Sequence, residues 1–262
     1  MDFEDSFASA PVRYALDDID SDEELEACVN NQKVSVQAKI TVDSDNCQSN
    51  LTLVFGLDGP GNVYIHSLEG KPAVIGTVTR FVDDKNAEVK ASILQLSDKK
   101  TLFIPFDGAI QPEEAGQYTK AILNGFAGKI EKVVVLDSFT AVGYTSEVWG
   151  DDLTPPFLRV LQTSASPTIK GLTLYESPNM IKGLAASIVN HCEIHSIPCY
   201  DLLTLQESIY GKLLITVEIL QAYDEGLKQL GLKIHFNEKL MNETLASRHS
   251  GRVDDNHHRL YL

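Results

Sequence analysis

The sequence predicts an α/β fold: a single domain with a mixed β-sheet flanked by helices, β-rich in its first half and alternating strand with helix in its second. Three observations carry this. Residues 32–106 hold successive runs of alternating or β-branched residues separated by short polar turns, the pattern of hairpins. Lys132–Leu136 (KVVVL) is a short all-apolar run, as expected of a strand buried on both faces between helices. Beyond it, strand-like and helix-like periods alternate, which asks for helices on the faces of one sheet.

In chain order, Val34, Val36, Ala38, Ile40 and Val42 alternate with polar residues, a strand with one buried face. Asn50–Leu57 and Asn62–His66 read as two further strands joined by the turn Asp58-Gly59-Pro60-Gly61. Val74–Val82, Glu88–Leu96 and Thr101–Phe106 continue the hairpins, with Asp83-Asp84-Lys85-Asn86 and Ser97-Asp98-Lys99-Lys100 as their loops. The first helix is predicted over Pro112 to about Ala127: proline suits its first turn, Glu113 and Glu114 complement the helix dipole, and Gly128 stands just past its end. After the KVVVL strand, Asp151–Pro156 breaks regular structure and Phe157–Thr163 is another strand. Ser177-Pro178 is expected to start a helix reaching His195, with Ile181, Leu184, Ala185, Ile188 and Cys192 facing inward and Ser177 as N-cap. Ile197–Leu205 reads as a strand, and Ser208–Leu230 as a long helix closed by Gly231, with a stripe of Ile209, Leu213, Val217, Leu220 and Leu227.

The charge is concentrated at one end. Residues 1–30 carry ten acidic side chains against Arg13, net −9, leaving −6 of the total −15 for the rest. This divides the chain into an acidic arm (1–30), an α/β domain (31–240) and a polar tether (241–262) ending in Leu260-Tyr261-Leu262. The field has the wrong sign for nucleic acid or an anionic membrane as main partner. An acidic start is the reverse of a signal peptide, and no apolar run approaches the length of a membrane span. A cytoplasmic address is expected, with nuclear or endoplasmic-reticulum association as alternatives. Cys28, Cys47, Cys192 and Cys199 form no CxxC pair, which suits reduced thiols.

Chemistry-bearing patterns are few. Gly56, Gly59 and Gly61 are spaced G-x-x-G-x-G, without the Lys-Ser/Thr of a P-loop, and read as a hairpin turn. His191 and His195 stand one helical turn apart, but Glu193 is not adjacent to the first histidine and no further ligand stands out beyond Cys199. Asp137, Ser138 and Thr140 fall at a buried strand's carboxyl end, where α/β proteins place ligands, without a G-x-S-x-G elbow. His257-His258 beside Asp254-Asp255 reads as part of the polar tether. No catalytic constellation emerges, so no enzyme, metal or cofactor is expected. The last three residues could act as a plug, with side chain and ring in a pocket and carboxylate on a cation.

Several segments together resemble the proteasome assembly chaperone 1 family. Pro155-Pro156-Phe157-Leu158-Arg159-Val160-Leu161-Gln162-Thr163 is similar to its P-F-L-R-x-L-x-T segment. Pro178-Asn179 and Leu184–Cys192 match its P-N start and A-A helix. Ile197-Pro198 and Leu214-Ile215-Thr216-Val217-Glu218 match its I-P and L-I-T-V-E segments, and Leu260-Tyr261-Leu262 its hydrophobic-Tyr-any terminus. The resemblance covers about residues 155–225 plus the tail. It implies a heterodimer with a second, related chaperone subunit that binds proteasome α-subunits, supports α-ring assembly and prevents off-pathway ring association. It further implies a tail seated between α-subunits: Leu260 as apolar contact, Tyr261 for ring packing and a hydroxyl hydrogen bond, Leu262 as the charged terminus. Two other readings remain open. One is a nucleoside-phosphorylase-like α/β enzyme or small-ligand binder with its site near Asp137, Ser138 and Thr140, for which a deep pocket with perturbed carboxylates would speak. The other is an adaptor working through the acidic arm.

Overall fold

The computed structural model describes residues 34–40, 49–70, 72–82, 86–145, 153–209 and 212–250. Its centre is an eight-stranded mixed sheet of order β1-β3-β4-β5-β2-β6-β8-β7. The strands are β1 (Val34–Ile40), β2 (Leu51–Gly56), β3 (Ala73–Val82), β4 (Asn86–Gln95), β5 (Thr101–Pro105), β6 (Ile130–Thr140), β7 (Leu158–Gln162) and β8 (Cys199–Gln206). A two-stranded hairpin, β9 (Ser208–Ile209) and β10 (Lys212–Leu213), stands outside the sheet. The four central strands β5, β2, β6 and β8 are mutually parallel. Hairpin strands β1, β3 and β4 extend the sheet antiparallel on one side, and β7 closes the other.

Among the described residues five helices cover the two faces: α1 (Pro60–His66), α2 (Ala115–Gly125), α3 (Gly183–Ile194), α4 (Val217–Gln229) and α5 (Glu238–Ser250). Strand alternation sorts the apolar side chains into two cores. On one face Leu53, Phe55, Val133, Val135 and Cys199 meet Tyr118 and Ile122 of α2 and Leu184, Ala185, Ile188 and Cys192 of α3. On the other Val54, Val134, Leu136 and Leu202 meet Val63 and Tyr64 of α1, Ile219, Tyr223 and Leu227 of α4, and Met241 of α5. The mixed sheet with flanking helices is the fold class the sequence predicts. The all-apolar β6 segment is buried on both sides, and Gly128 and Gly231 stand at φ 74° and 81° just past α2 and α4.

Several element assignments are corrected. Residues 60–66 form a helix, not a strand: Pro60 sits at its first turn, and residues 60–65 are all buried, so no amphipathic period is visible. The segment after residue 208 is a hairpin first and a helix only from Val217, so Leu213 is half-exposed and the buried stripe of α4 is Ile219, Leu220, Ala222, Tyr223, Gly226 and Leu227. The helix expected from Ser177 begins at Gly183, with Lys182 at the N-cap position; Ile181 packs against the core from the loop. Likewise α2 begins at Ala115 rather than Pro112. At the carboxyl side α5 runs ten residues into the segment read as a polar tether from 241. Asn237 caps it through its Oδ1, accepting the amides of Lys239 (2.9 Å) and Leu240 (3.3 Å), and Met241 is buried against the second core. The acidic arm, Cys28, Cys47, His257, His258 and the Leu260-Tyr261-Leu262 motif lie outside the described residues.

Candidate functional site

The parallel strands all end at one edge of the sheet, and there the chain leaves a cavity of about 960 Å³. Its floor is formed by Leu57 after β2, Phe106 after β5, residues 137–140 of β6 and Gln206 of β8. Its walls are the loops 108–112, 142–145 and 175–182, together with the first residues of α3. Such an edge, where helices and strands begin and end around a crevice, is the usual ligand site of open α/β sheets.

Asp137, Ser138 and Thr140 all line this cavity, but they are not one cluster. Alternation along β6 turns Asp137 and Phe139 to the α2/α3 face, and Ser138 and Thr140 to the other. Ser138 donates from Oγ to Gln206 Oε1 at 3.3 Å. The Asp137 carboxylate accepts the Ser138 amide at 2.8 Å, and its backbone carbonyl accepts the Tyr223 hydroxyl at 2.6 Å. Burial pushes the Asp137 carboxyl up to about 6, opposed by the Ser138 amide and by the positive charge of Lys182. On the same face of the neighbouring strand lies Asp201, fully buried, with neither carboxylate oxygen hydrogen-bonded. Burial first, and the Asp137 charge second, hold the Asp201 carboxyl well above its ordinary value. Sequence reading missed Asp201. The available signal was a lone carboxylate inside the apolar run CYDLLTL, where a strand buried on both faces has no room for a charge.

One wall is aromatic. Tyr144 and Tyr175 are stacked, with centroids 5.7 Å apart at 17°, and Phe139 stands 4.5 Å from Tyr144 and 5.5 Å from Tyr175. A polar brace behind this wall fixes it. Tyr144 donates its hydroxyl to Glu176, Arg159 donates from Nε to Glu176 at 3.0 Å, and the Arg159 guanidinium lies 4.0 Å over the Phe157 ring. Burial works to raise the Glu176 carboxyl, but the bonds from Tyr144 and Arg159 hold it below its usual value. Asn179 ties the two wall loops together through Thr145, accepting its amide and donating to its carbonyl. Three large apolar side chains stand exposed at the rim: Val142, Met180 and Leu213.

The other predicted candidates are not assembled into this site. The rings of His191 and His195, at the end of α3, lie 4.3 Å apart and tilted at 39°, and among the described residues no three potential metal ligands come together. Cys199, the suggested third ligand, is buried beneath α3 beside Cys192, and both are free thiols. Gly56 and Gly61 are not hairpin residues. A Cβ on Gly61 would overlap the Leu136 carbonyl, and one on Gly56 would meet the Gly61 carbonyl at 2.6 Å. The glycines therefore let α1 lie directly against β2 and β6. Among the described residues no helix is long and apolar enough to cross a membrane.

A family model described as Proteasome assembly chaperone 4 (PAC1) matches residues 78–261, most of the chain and all of the cavity except its Leu57–Gly59 corner. The chain belongs to this proteasome assembly chaperone family. Curated relatives named Proteasome assembly chaperone 1 include one from Dictyostelium discoideum, 28% identical over 150 residues, covering 57% of this chain and 53% of that protein. Another, from Nematostella vectensis, is 34% identical over 82 residues, covering 30% of this chain and 32% of that protein. The matches thus span about half or less of the length of these relatives. Among solved structures, Pyrococcus furiosus PbaA, an archaeal homolog of proteasome-assembly chaperone, has a TM-score of 0.54 at 14% identity, covering 84% of this chain and 95% of its own. Pyrococcus furiosus PbaB, an archaeal proteasome activator, gives 0.54 at 12%, covering 82% and 96%. At such identities the likeness is one of fold. Family membership bears out the resemblance carried by residues 155–225.

Proposed function

We propose that this protein is a cytoplasmic, non-enzymatic chaperone of proteasome core assembly. The observation that carries the reading is the family match over residues 78–261 on a matching fold. In this reading the chain pairs with a second, related chaperone subunit, and the pair binds proteasome α-subunits, promotes the α-ring and blocks off-pathway ring association. The exposed Val142, Met180 and Leu213 support a protein-binding role, because apolar side chains of this size are costly to leave in water. Leu260, Tyr261 and Leu262 serve as the docking tail: the aliphatic chain and ring fill a pocket between neighbouring α-subunits, and the terminal carboxylate meets a cation at its base.

The test is capture of purified α-subunits by the full chain together with its partner subunit. Tyr261→Ala removes a buried ring and a hydrogen bond, and is expected to weaken capture by roughly tenfold to a hundredfold. Deleting Leu260–Leu262 should do at least as much. Unchanged affinity for both variants would remove the tail from the mechanism.

One observation favours the small-ligand reading as a second one: Asp137, whose carboxyl burial pushes up to about 6, lines the cavity at this edge of the sheet. Ligand binding there is compatible with an assembly role.

A further inference from the structure

The cavity carries two opposite charges that do not neutralise each other. Asp137 on β6 lines the floor, and Lys182 lines the wall at the N-cap position of α3. Lys182 is near enough for its charge to act on the Asp137 carboxyl, yet among the described residues neither makes an ion pair. The Asp137 carboxylate has one hydrogen bond, from the Ser138 amide beside it, and no other donor among the described residues. Among the described residues Lys182 has no side-chain acceptor, and it makes no side-chain capping bond to α3. Gly183 and Leu184, the first residues of α3, line the same wall, so the amides of its first turn add positive potential next to Lys182. The braced face of Tyr144, Tyr175 and Phe139 lines the same cavity as both charges. On the neighbouring strand Asp201 is buried without a hydrogen-bond partner, and burial holds its carboxyl well above the ordinary value.

We propose that this cavity binds a small aromatic zwitterion, its ammonium on Asp137, its carboxylate on Lys182 and the α3 N-terminus, and its ring on the Tyr144–Tyr175 wall. A purely cationic ligand would satisfy Asp137 but face Lys182 and the helix terminus. A purely anionic one would face Asp137 and Asp58, which also lines the cavity. Only a ligand carrying both signs pairs each wall with its opposite. The volume of about 960 Å³ holds a molecule of amino-acid size with room for solvent.

The probe is L-phenylalanine, titrated into the full chain by calorimetry or by NMR of the aromatic side chains, against phenethylamine and 3-phenylpropionate, which each keep the ring and one charge. L-phenylalanine is expected to bind at least tenfold more tightly than either. Asp137→Asn and Lys182→Met should each weaken it by roughly tenfold to a hundredfold, the range for a charge-assisted hydrogen bond. The pH profile separates binding from a structural effect. The titratable groups facing Asp137 are Lys182, Asp201, Tyr175 and Tyr223; burial pushes the Asp137 carboxyl up to about 6, holds the Asp201 carboxyl well above its ordinary value and raises both tyrosines. Affinity of the unsubstituted chain should therefore rise from pH 5 to pH 7, and this rise should vanish in Asp137→Asn. The proposal is overturned if L-phenylalanine fails to saturate the chain at millimolar concentration. It is equally overturned if phenethylamine or 3-phenylpropionate binds as well as L-phenylalanine on the unsubstituted chain, a comparison that needs no variant to fold.

Discussion

Asp201 is the residue on which the cost of this site falls most heavily. It stands in the middle of β8 with Cys199 and Leu203 on its own face and Tyr200 and Leu202 on the other, fully buried and with both oxygens unbonded. A carboxylate there would be an uncompensated buried charge, so the native chain keeps the proton that the unfolded chain releases near pH 4. The native state therefore binds more protons than the unfolded state above that pH, and stability falls as pH rises from the unfolded pKa through the raised native one, by about 1.4 kcal/mol per unit while the group stays protonated. Asp137 adds a decline of the same sign between about 4 and its native value of about 6. Asp201→Asn cannot ionise and is expected to reduce the loss of melting temperature between pH 5 and pH 8, measured by thermal unfolding at both. An unaltered difference would show that Asp201 does not carry the proton. This residue also marks the limit of reading the sequence. Asp137 was found because it directly follows the apolar run 132–136, although β6 continues to Thr140; the role of Asp201 depends on which strand lies beside β6, and pairing order leaves no mark in a single sequence.

At the scale of elements, legibility followed periodicity. The strands β3, β4 and β5 and the apolar β6 were readable because period-2 and all-apolar runs are local signals. The failures came where burial hid the period or where two short elements shared it. Residues 60–66 are buried all round, so Val63, Tyr64 and Ile65 mimic a strand; only Pro60 in the first turn signals the helix. Ile209, Leu213 and Val217 fall four residues apart by coincidence of a hairpin with the start of α4. The glycines around α1 follow from that packing. Gly61 has backbone of β6 against its Cα, and a carbonyl cannot swing aside as a side chain tip can. Gly61→Ala should therefore lower stability by about 1–3 kcal/mol or more, because α1 must lift off both β2 and β6. Gly226→Ala on α4 meets only the Leu158 and Leu202 side chains, which can rotate, and should cost less. Denaturant melts of the two variants check the order; an equal or inverted pair would contradict the close seating of α1.

For the whole molecule, the described body reaches through α5 to Ser250. Segment 234–237 is bonded back to the end of α1: Glu69 donates its amide to His235 at 3.1 Å and Asn237 donates to Ser67 at 2.7 Å. From Asn237 the chain starts α5, which lies on α1 and places Met241 in the second core, with Leu245 one turn on and partly buried. Helix α5 thus belongs to the body, although its polar surface gave it the look of a linker. Two truncations follow from this. A chain ending at Ser250 keeps every buried side chain among the described residues, so its melting temperature should stay within a degree or two of the full chain. It should also retain L-phenylalanine binding while losing α-subunit capture. A chain ending at Asn237 removes Met241 and Leu245 from the second core and uncovers the α1 surface on which α5 lies. That should cost roughly 2–4 kcal/mol, a fall on the order of 10 °C for a body of this size. If both truncations melt like the full chain, α5 is no part of the body. If the chain ending at Ser250 still captures α-subunits at full affinity, docking resides on the body, and the exposed rim of Val142, Met180 and Leu213 becomes the surface to substitute.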